Sequence, residues 1–167
     1  EIYAKYRPNY PLELFEYLKE VGINNNSIVS DIGSGTGILT QGLAECCKIV
    51  YAIEPNDDMR NTAEQLYKNY NNILSICGTA EKTTLKSQSV NYITAAQSFH
   101  WFDQTLFKKE CRRILIPNGK VVLIWNCRNE ESELVQTIDF INKKYCPKFT
   151  GSTNGMRGAV NPNDYSD

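Results

Sequence analysis

A surplus of basic charge, long apolar runs, paired cysteines and histidine are missing or scarce in this chain, and each shortage closes off a class of function. Nineteen acidic against 18 basic residues leave a formal charge of −1, which offers no electrostatic footprint for nucleic acid or an anionic membrane. No apolar run approaches the ~20 residues that span a bilayer, and the first residues lack the pattern of a secretory signal. Of the six cysteines, Cys46 and Cys47 are adjacent, while Cys77, Cys111, Cys127 and Cys146 are scattered without a CxxC pair. That distribution fits neither a zinc site nor a secreted disulfide framework, so reduced thiols in a cytoplasmic protein are expected. His100 is the only histidine, so imidazole chemistry has one place to occur.

What is present is ordinary globular composition, 41% hydrophobic and 22% charged over 167 residues, consistent with one domain able to bury a core. Strand-like and helix-like patterns alternate along it. Residues 27–33, 48–54, 72–78, 90–99 and 120–126 read as five short buried strands. Between them, apolar residues recur at helical spacing from Ile38 to Cys46, from Met59 to Tyr70 and from Leu106 to Leu115. Asn56 or Asp57 and then Asp103 are placed to cap the second and third of these helices. An amphipathic helix with Pro11 in its first turn occupies 11–22, and another carries Leu134, Ile138, Ile141 and Tyr145 on one face. Residues 146–167 are poor in apolar residues and read as loop. Strands regularly separated by helices predict right-handed crossovers and an open parallel sheet covered on both faces, an α/β fold.

In such sheets ligands bind beyond the carboxyl ends of the strands. There, after the first strand, stands "SDIGSGTGILT" (30–40), with glycines at 33, 35 and 37. A triphosphate-binding loop would need a lysine after its last glycine, and Gly37 is followed by Ile38. The dinucleotide fingerprint GxGxxG, counted from Gly33 and Gly35, would need glycine at position 38 and meets isoleucine.

The remaining pattern, Asp-x-Gly-x-Gly-x-Gly, is accompanied by "AIEPN" (52–56), "GTAEKTTLKSQSVNYI" (78–93) and "RRILIPNGKVVLIWN" (112–126). Together these resemble the class I S-adenosylmethionine-dependent methyltransferases, within them the small-molecule group labelled type 11, from about Tyr6 to Asn126. The resemblance implies a Rossmann-like sheet with strand order 3-2-1-4-5, and S-adenosyl-L-methionine as cofactor. It implies a cofactor-binding core over 27–126 and an N-terminal cap segment over 1–22. It also implies two closing strands beyond 146–167, since nothing in that stretch has the apolar density to supply them. Side chains at 33, 35 or 37 would occupy space that the methionyl and ribosyl groups need. By resemblance, Asp31 stands near the methionine ammonium, with the alternative that it holds the glycine loop. Ser34 belongs to that loop. Glu54 would accept both ribose hydroxyls, as a carboxylate's two oxygens suit, or else simply end its strand in solvent. Pro55, Asn56 and Met59 would flank ribose and adenine, Met59 being equally readable as core. Thr79 and Ala80 fall at the adenine edge, Thr79 where many relatives carry aspartate. Tyr6 and Arg7 would cover the cofactor, and Arg7 could meet its carboxylate.

The fourth strand runs into "AQSFHWFD" (96–103) at the mouth of the expected cleft, with Gln97 counted among the cofactor contacts. Phe99, Trp101 and Phe102 could line a dry site that suits a dispersing positive charge. His100 is the one candidate general base there, needed only for a hydroxyl acceptor, with a purely structural histidine as the alternative. The Asn/Asp-Pro-Pro-aromatic motif of amino-methylating nucleic-acid enzymes is missing, which agrees with a small-molecule methyl acceptor. The expected assembly is a monomer or weak dimer. A nicotinamide-dependent oxidoreductase and a non-catalytic cofactor-binding module are the rivals.

Overall fold

The computed structural model of the chain describes residues 9–127 and 129–146. Residues up to Ile124 form one compact unit and those from Trp125 a second. In the first unit α1 (Leu12–Val21) precedes β1 (Ile28–Ile32), α2 (Ile38–Ala44), β2 (Ile49–Ile53) and α3 (Asp57–Tyr67). β3 (Ile73–Ile76), β4 (Val90–Ala96), a 3₁₀ turn (Phe99–Trp101), α4 (Gln104–Ile114) and β5 (Leu115–Ile124) follow. In the second unit α5 (Glu133–Tyr145) buries none of its residues, and Leu134, Ile138, Ile141 and Tyr145 are exposed.

The five strands form one sheet in the order β3-β2-β1-β4-β5, and every pair is parallel. Chain order therefore reverses at β1, with β2 and β3 to one side and β4 and β5 to the other. Right-handed crossovers in two directions place α2 and α3 on one face and α4 on the other. Leu18 of α1, Val29 of β1, Leu39 and Leu43 of α2 and Val50 of β2 share one buried cluster, which explains why the central strands are apolar nearly throughout. Phe107 and Ile114 of α4 are likewise fully buried.

Local chemistry sets the helix starts. The Asn56 side chain accepts from Met59 N at 3.0 Å and Asp103 from Leu106 N at 3.0 Å, capping α3 and α4 as expected. Pro11 is the residue before α1 rather than inside its first turn.

Two strand boundaries differ from the sequence reading by more than two residues. β4 stops at Ala96, because Gln97 takes a φ of +56° that no strand tolerates. Pro117-Asn118-Gly119 does not separate α4 from β5 but forms an irregularity inside β5. Val90 pairs with Leu115 and Tyr92 already with Lys120, the surplus taken up where Asn118 turns left-handed at φ +64°.

Candidate functional site

A cleft of about 440 Å³ opens at the carboxyl ends of β1, β2 and β4, a size usual for small-ligand sites. The 33–36 loop forms its floor. Glu54, Pro55, Asn56 and Met59 line the β2 side, Thr79, Ala80 and Glu81 the loop after β3, and Ala96, Gln97 and Ser98 the β4 side. Tyr10, Trp101 and Phe102 contribute at its edges.

The three glycines have different reasons to be glycine. All have positive φ, at +69°, +58° and +84°. A Cβ on Gly37 would fall within 2.5 Å of the Tyr67 ring, and one on Gly33 within 2.6 Å of Ser98 Cβ. Those two are demanded by protein packed against the loop. A Cβ on Gly35 would meet nothing nearer than Met59 Sδ at 4.0 Å. Of the three, Gly35 alone leaves open space in the cleft, so the expectation that all three make room for a ligand is corrected to one.

Glu54 follows β2 and is only 7% exposed. Its Oε2 accepts from Gly35 N at 2.8 Å and its Oε1 from Asn56 N at 2.9 Å. It therefore does not end its strand in solvent. It pins the glycine loop to the start of α3, and each oxygen keeps lone-pair capacity toward the cleft. Asp31, at the end of β1, is 1% exposed. Its Oδ2 accepts from Thr40 Oγ1 at 2.6 Å and its Oδ1 from Thr94 Oγ1 at 2.9 Å. These bonds tie α2 and β4 to β1, so the glycine loop is held by Glu54 and by Ile53 O, not by Asp31. Burial is the largest influence on the Asp31 carboxyl and raises its pKa to about 6, although both threonine hydroxyls act in the opposite sense.

The loop over Thr79–Glu81 is fixed from behind. Glu110, buried on α4, accepts from Thr83 N at 2.8 Å and Thr83 Oγ1 at 2.6 Å. Arg113 forks onto the same carboxylate at 2.7 Å from both Nε and Nη2. The guanidinium is the largest influence on the Glu110 carboxyl and holds its pKa at about 2. In front, Glu81 Oε1 accepts from Asp103 N at 2.9 Å, joining this loop to the start of α4.

Asp31, Gly33, Ser34, Gly35, Glu54, Pro55, Asn56, Met59, Thr79, Ala80 and Gln97 all line the one cleft. Met59 is 39% exposed there and is not a core residue. Gly37 supports the loop without lining the cleft. Tyr6 and Arg7 lie outside the described residues. In the aromatic stretch, Trp101 and Phe102 line the cleft, but Phe99 is fully buried against Phe102 and Phe107. His100 is not among the lining residues; its ring lies 4.9 Å from that of Trp101, and its buried Nδ1 has no hydrogen-bond partner. The 3₁₀ turn is the reason, since three residues per turn send Phe99, His100 and Trp101 in three directions. Residues that sequence reasoning missed include Tyr10, Thr36, Leu39, Glu81 and Ser98. Of these, Thr36, Leu39, Glu81 and Ser98 lie inside the stretches quoted from the sequence, and Tyr10 does not.

The profile of a family described as a methyltransferase domain matches residues 30–123. An uncharacterised methyltransferase of Schizosaccharomyces pombe is 34% identical over 136 residues, 80% of this chain and 53% of that protein. The chain belongs to the class I S-adenosylmethionine-dependent methyltransferases. An uncharacterised methyltransferase of Mycobacterium tuberculosis is also 34% identical, over 77% of this chain and 50% of its own length. A solved structure from Anaeromyxobacter dehalogenans, provisionally assigned as a type II methyltransferase, is 29% identical with a TM-score of 0.62, covering 84% of this chain and 57% of that one. The chain spans about half the length of the curated relatives it matches.

The residues present fit the family's cofactor. Three carboxylates, Asp31, Glu54 and Glu81, line the cleft, and no lysine or arginine does among the described residues. That charge suits a ligand carrying both a sulfonium and an ammonium group. The open space at Gly35 beside the Glu54 oxygens admits a bulky group against the backbone. No cluster of side chains able to hold a metal ion occurs among the described residues.

Proposed function

We propose that this chain moves a methyl group from S-adenosylmethionine to a small-molecule acceptor by direct displacement. One observation carries the proposal: the open side of Gly35 lies beside Glu54 in a cleft lined by acidic side chains and, among the described residues, by no basic one. A dinucleotide would bring a pyrophosphate into the same place, where this charge disfavours it. Glu54 is placed to take the ribose hydroxyls through its remaining lone pairs. Asp31, once ionised, offers a buried negative charge to the methionyl ammonium. Pro55, Asn56 and Met59 flank the adenosine, and Thr79 and Ala80 meet the adenine edge.

When bound, the cofactor supplies a methyl group on an already good leaving group, so the protein's task is alignment and exclusion of water, where effective molarities can be very large. Phe102 and Trp101 supply apolar wall. The proposed acceptor is a small molecule and not a nucleic acid, consistent with a formal charge of −1. No described helix is long and apolar enough to cross a membrane, and all six cysteines are free thiols; the proposed setting is cytoplasmic, as a monomer or weak dimer.

Thermal melting with S-adenosylhomocysteine and with NAD, side by side, tests the proposal. Ligand at a hundredfold over its dissociation constant adds about 2.7 kcal/mol, which for this length corresponds to roughly 5–10 °C in Tm. That shift is expected with S-adenosylhomocysteine and not with NAD. An equal or larger shift with NAD would overturn the assignment.

A further inference from the structure

We infer that Tyr67, outside the cleft, is a positioning residue for the cofactor: its buried hydroxyl is without a partner in the free protein and donates to Ser34 when S-adenosylmethionine settles on the glycine loop. The inference rests on the methyl-transfer reading above. Tyr67 ends α3, and its ring packs with Ala52 of β2, Ala63 of its own helix and Ile73 of β3. It is 7% exposed, and its enclosed hydroxyl makes no hydrogen bond. A phenylalanine would fill the same space without that cost. Burying a hydroxyl unpaired is unfavourable, and few such groups persist in a protein without a reason.

The loop makes a second concession to the same oxygen. A Cβ on Gly37 would collide with it, so position 37 must be glycine for the hydroxyl to stand where it does. Tyr67 does not line the cleft and therefore lies behind the loop, on the side away from a bound ligand. Two side chains stand near its hydroxyl, Thr40 and Ser34. Burial above all, with the Asp31 and Glu54 carboxyls nearby, holds its pKa above the usual phenol range, so it remains a neutral donor.

Thr40 is held in place. It is fully buried on α2, and its Oγ1 donates to Asp31 Oδ2 at 2.6 Å, so a ligand in the cleft has little means of bringing it closer to Tyr67. Ser34 is placed differently. It lies between Gly33 and Gly35, lines the cleft, and opens the turn in which Gly37 N donates to Ser34 O at 2.9 Å. A group resting on the open side of Gly35 presses that turn back toward Tyr67. The hydroxyl then donates to Ser34 Oγ, and the loop is fastened against the ligand. A contact made only in the loaded state adds to affinity and not to the stability of the free fold.

The test compares Tyr67→Phe, Ser34→Ala and the double variant with the parent chain, adding carbon NMR on protein labelled at tyrosine Cζ. The Tyr67 signal, assigned by its loss in Tyr67→Phe, should move when S-adenosylhomocysteine is added. Tyr67→Phe should weaken S-adenosylhomocysteine about three- to tenfold, the range of one neutral hydrogen bond, while its ligand-free Tm stays level or rises. Ser34→Ala should lose as much affinity, and the double variant no more than either single one. Failure of S-adenosylhomocysteine to bind the parent would sink the methyl-transfer reading and this inference with it. If it binds the parent but leaves the Tyr67 signal unmoved, or if the two single losses add, the inference alone is overturned. Unchanged affinity in Tyr67→Phe overturns it too. So does a fall in ligand-free Tm alongside the affinity, since the hydroxyl would then serve the free fold.

Discussion

Glu54 Oε2 accepts the Gly35 amide at 2.8 Å, so the carboxylate closing β2 also fastens the loop that follows β1. The residue proposed to hold the ribose therefore shapes the floor on which the ribose would rest, and its loss acts twice. Glu54→Ala leaves the Gly35 and Asn56 amides without their acceptor and removes the anionic partner of the ribose. Hydrogen bonds to a charged group contribute about 1.5–3 kcal/mol, so S-adenosylhomocysteine should bind roughly ten- to a hundredfold more weakly. A fall in Tm of a few degrees should accompany this even without ligand. Calorimetric titration and thermal melts check both parts. Unchanged affinity would place the ribose elsewhere, and an unchanged Tm would show that solvent replaces the two amide bonds.

The glycine loop separates packing from binding in the same way. Gly35→Ala meets open space and bears mainly the cost of φ +58°, about 1 kcal/mol, while planting a methyl group where the cofactor would lie. Gly37→Ala drives a methyl into the Tyr67 ring. The expected order is therefore crossed, with Gly37→Ala losing more Tm and Gly35→Ala losing more affinity relative to its loss of stability. Urea unfolding and titration with S-adenosylhomocysteine measure the two effects separately. Parallel losses in both variants would mean that the loop behaves as one unit.

Much of this arrangement was legible because strand ends are set by short-range pattern. Asp31, Glu54 and Thr79 each close or follow an apolar run, so placing the runs placed the cleft. What was hidden depends on partners distant in sequence or on a single backbone angle. Tyr67, thirty residues beyond Gly37, cannot be seen as the reason for that glycine. The pull of Glu54 on Gly35 crosses from one βα unit to the next. Gln97 has no propensity that announces φ +56°, and reading through it as strand gave Phe99 a place at the cleft mouth that the 3₁₀ turn denies it. The same turn keeps His100 off the cleft lining that Trp101 and Phe102 join, although its ring lies 4.9 Å from that of Trp101.

Asp31 supplies a pH signature. Its carboxyl titrates near 6 in the fold against 3.8 when unperturbed, chiefly through burial. A raised carboxyl makes its contribution to stability below the unfolded value and loses it as pH rises through the folded one. The ligand-free protein should therefore lose stability from this group between about pH 4 and pH 6 and gain none above. The methionyl ammonium of the ligand favours the ionised form, so S-adenosylhomocysteine should bind more weakly below about pH 6 and release protons as it binds there. Titration near pH 6 in buffers of different ionisation enthalpy counts those protons. Asp31→Asn should abolish the release. Release that survives in Asp31→Asn would assign it to another group.

Glu110 titrates in the opposite direction and serves as the control for structure without ligand contact. Arg113 above all, with Thr83, holds its carboxyl at about 2 against 4.5 unperturbed. A depressed carboxyl stabilises above the unfolded value, and that stability is lost as pH falls from about 4.5 through about 2. Glu110 is 7% exposed but the Arg113 side chain is 38% exposed, so solvent screens the pair in part and it contributes about 1–2 kcal/mol at neutral pH. Glu110→Ala also leaves the buried Thr83 amide and hydroxyl without their acceptor, while the exposed Arg113 guanidinium turns to water, so the total loss is about 2–3 kcal/mol. Urea unfolding at pH 7 should show that loss, while the variant and the parent converge in stability toward pH 2. Because Glu110 anchors the loop that carries Thr79, Ala80 and Glu81, S-adenosylhomocysteine affinity should fall only a few-fold in the folded variant, far less than in Glu54→Ala. A variant as stable as the parent at pH 7 would show that Arg113 and Thr83 find equivalent partners in water, and a loss of affinity matching that of Glu54→Ala would make the loop, not the carboxylate of β2, the chief determinant of binding.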